Sequence, residues 1–208
     1  MTDSTSPEVT LNAGIHANFI PQTVLMRPLF IVSLLCTTFA LAAKDFAIKA
    51  ESSEISFYVP AKITNVRGYF RDFKLGKFSF DEKKGYTSAK GELLINTASV
   101  FTRDRKRDAH LRADDFFYTA KFPAAVVTLR SLKPKAADEY EADISLRIRD
   151  KSRDYKVPVK IQAIDKDNLR VSGSFTINRK DFDLTGNHIA NIIMKDEVET
   201  SFRLQLAR

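Results

Sequence analysis

The sequence predicts an all-β fold: a closed, antiparallel up-and-down barrel of about eight strands with one helix inserted near its mouth. Three observations carry this expectation. From Ala43 to the end, apolar and polar residues alternate with period two in run after run, the mark of strands with one dry and one wet face. Short polar segments (Asp81–Gly85, Ala137–Glu139, Asp165–Asn168) separate many of the runs, as hairpin turns do. A single stretch breaks the pattern. Arg103–Asp108 reads as a charged turn of helix, and the segment ends in an apolar hook, Phe116-Phe117. Alternation does not separate a barrel from a two-sheet sandwich, which is the competing architecture.

The strands begin only after residue 42. Met26-Arg27-Pro28 is a basic start, Leu29 to Leu41 is largely apolar, and Ala40-Leu41-Ala42 is a small-residue cleavage site. These are the three parts of a secretory signal, so 26–42 is expected to be a signal peptide. The apolar run is too short for a spanning helix, which needs about 20 residues. Residues 1–25 lack hydrophobic periodicity and are expected to be disordered or a start-site artefact, Met26 being the true start. A longer leader ahead of an uncleaved anchor is the alternative. The domain is then 43–208, periplasmic or secreted.

Cys36, the one cysteine, falls inside the signal, so the expected mature chain holds neither disulfide nor reactive thiol and depends on its core. The whole chain carries +7, and without its first 42 residues, which hold one arginine and two acids, the charge is +8. That surplus suits anionic membrane surfaces or phosphate headgroups. It is spread along strands and not clustered, which argues against nucleic acid.

In chain order, the first inward sets are Phe46/Ile48/Ala50, Ile55/Phe57/Val59 and Val66/Gly68/Phe70. Phe78/Phe80 and Leu93/Ile95 follow. After the helix come Ala125/Val127/Leu129 and the cleanest run, Tyr140/Ala142/Ile144/Leu146/Ile148. Val157/Val159/Ile161/Ala163, Leu169/Val171/Gly173/Phe175/Ile177 and Val198/Thr200/Phe202/Leu204/Leu206 complete the set. This interior is rich in phenylalanine. Aromatic walls suit a long apolar ligand, and the same residues would equally serve a packed core.

Chemistry-bearing motifs are scarce. His110 and His188 are the histidines beyond the signal, and His110 with Asp114 at i, i+4 forms an incomplete metal pair. A Gly-x-Ser-x-Gly elbow and a phosphate-cradling glycine loop are both absent, and Ser172-Gly173-Ser174 lies mid-strand. The pairs Asp114-Asp115 and Asp196-Glu197 read as surface charge. The expectation is a protein that is not an enzyme, with no catalytic residues, metal or cofactor.

Several segments together resemble the YceI-like family, exported lipocalin-like proteins that bind polyisoprenoid lipids. They are Arg107-Asp-Ala-His-Leu-Arg-Ala-Asp-Asp-Phe-Phe117, Lys121-Phe122-Pro123 and Val66-Arg-Gly-Tyr-Phe-Arg-Asp-Phe73, then Phe175-Thr-Ile-Asn-Arg-Lys-Asp-Phe182 and Asp196-Glu197-Val198. The resemblance covers nearly all of 44–208 in order. Two places depart from it: Glu54 stands where the family often has His, and Arg149-Asp-Lys-Ser-Arg153 replaces a His-Gly turn. The resemblance implies an extended eight-stranded lipocalin-like barrel holding a long isoprenoid-type or fatty-acid-like lipid in a tunnel.

On that basis Phe57, Val59 and Phe70 are expected to line the tunnel from the first strands, with Phe80, Ile95 and Phe117 beside them. Val127, Ile144, Leu146, Val159, Phe175 and Ile177 complete the lining. Asp108, His110, Asn178, Arg179 and Asp181 are expected to tie helix to barrel. A basic Arg149/Lys151/Arg153 turn could face a phosphorylated headgroup or be a plain hairpin. The partner is the lipid, with room for membrane-surface contact and a homodimer. The competing functions are a solid barrel acting through its surface and an enzyme built on His110 with Asp108 or Asp114.

Overall fold

The computed structural model describes residues 46–208, so the expected signal (26–42) and the residues ahead of it lie outside the described part. In chain order the elements are β1 (Ala47–Ile48), β2 (Glu54–Val59), β3 (Val66–Phe70), β4 (Phe73–Ser79), β5 (Lys90–Asn96) and β6 (Val100–Phe101). The helix α1 (Arg105–Leu111) precedes β7 (Ala124–Pro134), β8 (Glu139–Ile148), β9 (Lys151–Ala163) and β10 (Asn168–Asn178). A short helix, α2 (His188–Ile193), leads into β11 (Glu197–Ala207).

Hydrogen-bonded neighbours run β4-β5-β7-β8-β9-β10-β11-β2-β3-β6, with β1 also on β11. Every pairing is antiparallel. The expected eight-stranded up-and-down barrel emerges once two breaks are recognised. β1 and β2 lie in line along one edge of β11, at Ile48↔Leu206 and Ile55↔Phe202. β3 and β4, parted only by Arg71-Asp72, are halves of one strand. β3 pairs with β2 (Phe57↔Gly68) and β4 with β5 (Phe73↔Ile95). That strand passes from one neighbour to the other and so curls the sheet onto itself. Register shifts between Leu75 and Phe78 and between Leu129 and Ser131 add the bends that closure needs.

The alternation set the inward face correctly. β8 buries Ala142, Ile144, Leu146 and Ile148, and β2 buries Ile55, Phe57 and Val59. At one end of the barrel sit α1, α2 and the β8–β9 turn. The opposite end carries β1, the β9–β10 turn and an aromatic cluster in which the Phe46 ring meets Phe78 at 5.9 Å and Phe80 at 5.8 Å.

The helix is shorter than the charged stretch implied. Asp104 caps it by accepting from the Lys106 and Arg107 amides at 2.9 and 3.1 Å. It ends when the Arg112 amide donates to the Ala109 carbonyl, tightening the last turn. Asp114-Asp115 and Phe116-Phe117 therefore lie in turns, with the Phe117 amide bonded back to the Leu111 carbonyl at 3.0 Å. The Arg149–Arg153 turn shrinks as well. Arg149 takes a left-handed φ of 55°, which leaves a two-residue turn and lets β9 begin at Lys151. The alternation gave no sign of α2.

Candidate functional site

The inward faces enclose an apolar cavity of about 290 Å³. It extends from Phe46, Phe78 and Tyr86 at the aromatic end to Leu111, Phe116 and Leu184 at the α1 end. Along β8 its wall is Ala142, Ile144, Leu146 and Ile148, which at strand rise is about 20 Å of lined length. Among its walls are Phe57 and Val59 of β2, Phe70 of β3, Phe80 beyond β4, and Ile95 of β5. Phe117, Val127, Ile144, Leu146, Val159, Phe175 and Ile177 are also there, so the structure brings all the sequence-derived lining residues to one space.

Inward side chains such as Phe70, Val127, Val171, Phe175 and Phe202 are only half-buried, because they face this space and not each other. A solid core would bury them fully. Two packed clusters are bridged by Val127, Tyr155, Val171, Phe175 and Phe202.

Glycine keeps so aromatic an interior hollow. Phe57 lies directly opposite Gly68, Phe78 opposite Gly91, and Phe202 opposite Gly173. A Cβ on those glycines would fall 2.2 Å from Phe57 Cζ, 2.8 Å from Phe78 Cδ2 and 2.7 Å from Phe202 Cζ. Each ring therefore lies over bare backbone on the neighbouring strand, against the wall and out of the lumen.

The α1 end is sealed by polar ties beneath an apolar floor. Asp108 accepts from the Thr102 amide at 2.7 Å and from its hydroxyl at 2.6 Å, and Arg107 donates to the Thr102 hydroxyl and to its carbonyl. His110 Nε2 lies 2.8 Å from Asp115 Oδ2, so its partner is Asp115 and not Asp114, which stays exposed. A carboxylate only accepts, so this nitrogen carries the proton. The His110 ring meets Phe116 edge-on at 5.0 Å, and Phe117 meets Phe70 at 5.5 Å, so the hook closes onto the cavity wall.

Arg179 is 2% exposed and fully engaged. Its guanidinium donates to the carbonyls of Leu184, Thr185 and Lys195 and to Asn191 Oδ1, and lies 2.9 Å from Asp196 Oδ1. It thus ties the segment around α2 to the end of β10. The Lys180 hydrogen bond, with Arg179 adding, holds the Asp196 carboxyl below its ordinary pKa against the effect of burial. Asn178 caps the following turn through the Lys180 amide at 2.9 Å.

Of the basic turn, Arg149 donates to the carbonyls of Phe116 and Asp183, Lys151 pairs with Asp183, and Arg153 bonds the Ser152 carbonyl. Arg149 is thereby a tie between hairpin and hook. Tyr155, beside Phe175 at 5.3 Å, has its pKa pushed up by burial and secondarily by Asp181. It stays protonated at neutral pH.

Sequence reasoning missed Leu184, Met194 and Tyr86 as lining residues. All three sit outside regular strands, where no period marks an inward position.

The sequence pattern described as the YceI-like domain matches residues 46–206. A YceI protein of Salmonella newport is 32% identical over 165 residues, covering 74% of this chain and 84% of the relative. A UPF0312 protein of Shewanella denitrificans is 40% identical over 114 residues, 53% of this chain and 58% of that relative, under two thirds of its length. Among solved structures, Burkholderia cenocepacia BcnA superposes with a TM-score of 0.68 at 22% identity, covering 76% of this chain and 98% of that one. A polyisoprenoid binding domain from Saccharophagus degradans gives 0.62 at 17%, covering 78% and 97%. At these identities the likeness to the solved structures shows the shared barrel.

Proposed function

Because the chain belongs to the YceI-like family, we propose that it is an exported binding protein that holds a long-chain isoprenoid lipid, such as a polyprenyl or quinone-type molecule, inside its barrel. The observation that carries this reading is the hollow interior, an apolar space of about 290 Å³ walled by half-buried rings. The resemblance in fold to a polyisoprenoid binding domain supports the class of cargo.

The mechanism is burial without chemistry. Each methylene taken out of water contributes about 0.8 kcal/mol, so a chain lying along the wall from Ala142 to Ile148 needs few polar contacts. Phe57, Phe78 and Phe202, pressed against glycine, give contact area from rings that are already placed, which lowers the entropic cost of binding. Most polar groups at the α1 end bond one another, Asp115 Oδ1 and Arg149 Nε excepted, which favours carriage over catalysis.

The 26–42 segment supports export, to the periplasm or outside the cell. The test is organic extraction and mass spectrometry of the protein purified from its own cell envelope. A stoichiometric isoprenoid, quinone or fatty-acyl species is the expected result. A protein that is empty, and that also resists loading with such lipids, would overturn the carrier reading in favour of a barrel acting through its surface.

A further inference from the structure

The large hydrophobic side chains that stand exposed among the described residues are Ile63 at 77%, Ile164 at 46%, Ile189 at 66% and Ile192 at 54%. Three of the four belong to two connections that hold each other. The Lys62 amide donates to the Ile193 carbonyl at 3.1 Å, the Lys195 amide to the Pro60 carbonyl at 3.0 Å, and Ala61 bridges Met194. Ile189 and Ile192 are spaced i, i+3 on α2 and so share one face of it. Isolated exposed isoleucines are ordinary, but three gathered on one paired edge are not.

This edge adjoins the cavity, since Met194, at the end of α2, is part of its lining. Its exposed neighbours are basic: Lys62 on the first connection and Lys195 on the second, with Arg67 at the start of β3. Asp196, next along the chain, is held by Arg179 and Lys180. Glu197 and Glu199 are exposed acids on the strand that follows. Apolar tips ringed by lysine and arginine match an anionic bilayer, in which the tips enter the acyl boundary and the cations meet lipid phosphates. Six residues of α2 are far too few to cross a membrane, so the contact is interfacial.

We propose that Ile63, Ile189 and Ile192 form a docking edge for anionic membranes, which sets the α2 end of the cavity against the bilayer from which cargo enters. The inference rests on the lipid-carrier reading for its cargo but not for the docking itself. The far end supplies an internal control, because Ile164 sits in the β9–β10 turn, at the other end of β11 from α2.

The experiment is carried out on the full chain in a Cys36→Ser background. Ile192→Cys, or Ile164→Cys as control, carries a polarity-sensitive fluorophore, and vesicles of phosphatidylglycerol or of phosphatidylcholine are added. A blue shift at position 192 with phosphatidylglycerol, absent at 164 and reduced by salt, is expected. Lys62→Glu with Lys195→Glu should weaken it by at least about tenfold. No shift at 192, or equal shifts at both positions, overturns the docking edge.

A second arm separates docking from carriage. Ile63→Ser/Ile189→Ser/Ile192→Ser should slow pickup of a polyprenol from those vesicles while leaving binding of the same polyprenol supplied from ethanol unchanged. If pickup from vesicles is as fast in the triple variant as in the parent, the edge is not the route of entry. If the parent binds no polyprenol from ethanol, the carrier reading fails, while the fluorophore still reports on docking.

Discussion

Gly68 and Phe57 face each other across β3 and β2 so closely that a methyl group on the glycine would sit 2.2 Å from the tip of the ring. The ring occupies the place where any other residue would keep its side chain. Gly68→Ala is therefore expected to drive Phe57 into the lumen, at a cost of about 1–3 kcal/mol in stability. Thermal unfolding and polyprenol loading read the two effects together. Adding Phe57→Leu should restore loading, and a Gly68→Ala protein that loads normally would contradict the arrangement.

Leu146 lies midway along the β8 wall, between Ile144 and Ile148. Leu146→Trp should plug the tunnel while remaining apolar. Displacing three methylenes of cargo, at about 0.8 kcal/mol each, corresponds to roughly fiftyfold weaker binding of a long chain. A titration with polyprenols of increasing length should show the penalty growing with length and then levelling off. A penalty independent of length would place the cargo elsewhere.

Arg179 has more structural partners than its surface-type chemistry would suggest. Replacing it by Met leaves the carbonyls of Leu184, Thr185 and Lys195 without their donor, and Asp196 without one of its cations. Each buried carbonyl left without a donor costs about 1–3 kcal/mol, read as a fall in the urea midpoint. Ligand affinity per folded molecule should change much less, since the guanidinium borders the cavity but spends its donors on these carbonyls and on Asp196.

Acid should weaken the same knot. Asp196 has a folded pKa below its ordinary 3.8, chiefly through the Lys180 hydrogen bond and then through the charges of Arg179 and Lys180. A depressed carboxyl stabilises the fold above the unfolded value, and that stability is lost as pH falls through the folded one. Asp104, Asp154 and Asp165 are shifted in the same direction, by the Arg107 amide, the Arg130 side chain and the Asn168 side chain respectively. The urea midpoint should thus hold level from neutral pH down to about pH 4 and drop below it. Asp196→Asn should flatten that drop, and an unchanged slope would count against the knot.

Much of the barrel was legible because period-two alternation maps one to one onto its inner face. Ile55, Phe57 and Val59, or Ala142 through Ile148, could be assigned inward from spacing alone. The Phe–Gly pairs were half visible. Gly68 and Gly173 stood at inward positions of alternating runs, but which ring lay across from each depends on register, a long-range property. Arg179 was marked as a tie but not as a wall of the cavity, and Leu184 and Met194 were not legible at all. They lie in the irregular segment between β10 and β11, and a buried arginine reads in sequence like an exposed one until its carbonyl partners are known.

The barrel's seam also constrains how the molecule comes into being. β2, the first long strand, finds its partner in β11, the last, through pairs such as Ile55↔Phe202. Closure therefore waits on pairing between the two ends of the barrel sequence, and such non-local topologies fold slowly. While the polypeptide is being made, β2 has only β3 beside it and an unsatisfied edge on its other side. The cage does not exist until the final residues arrive. A chain assembled in this order stays open and threadable until β11 has been made.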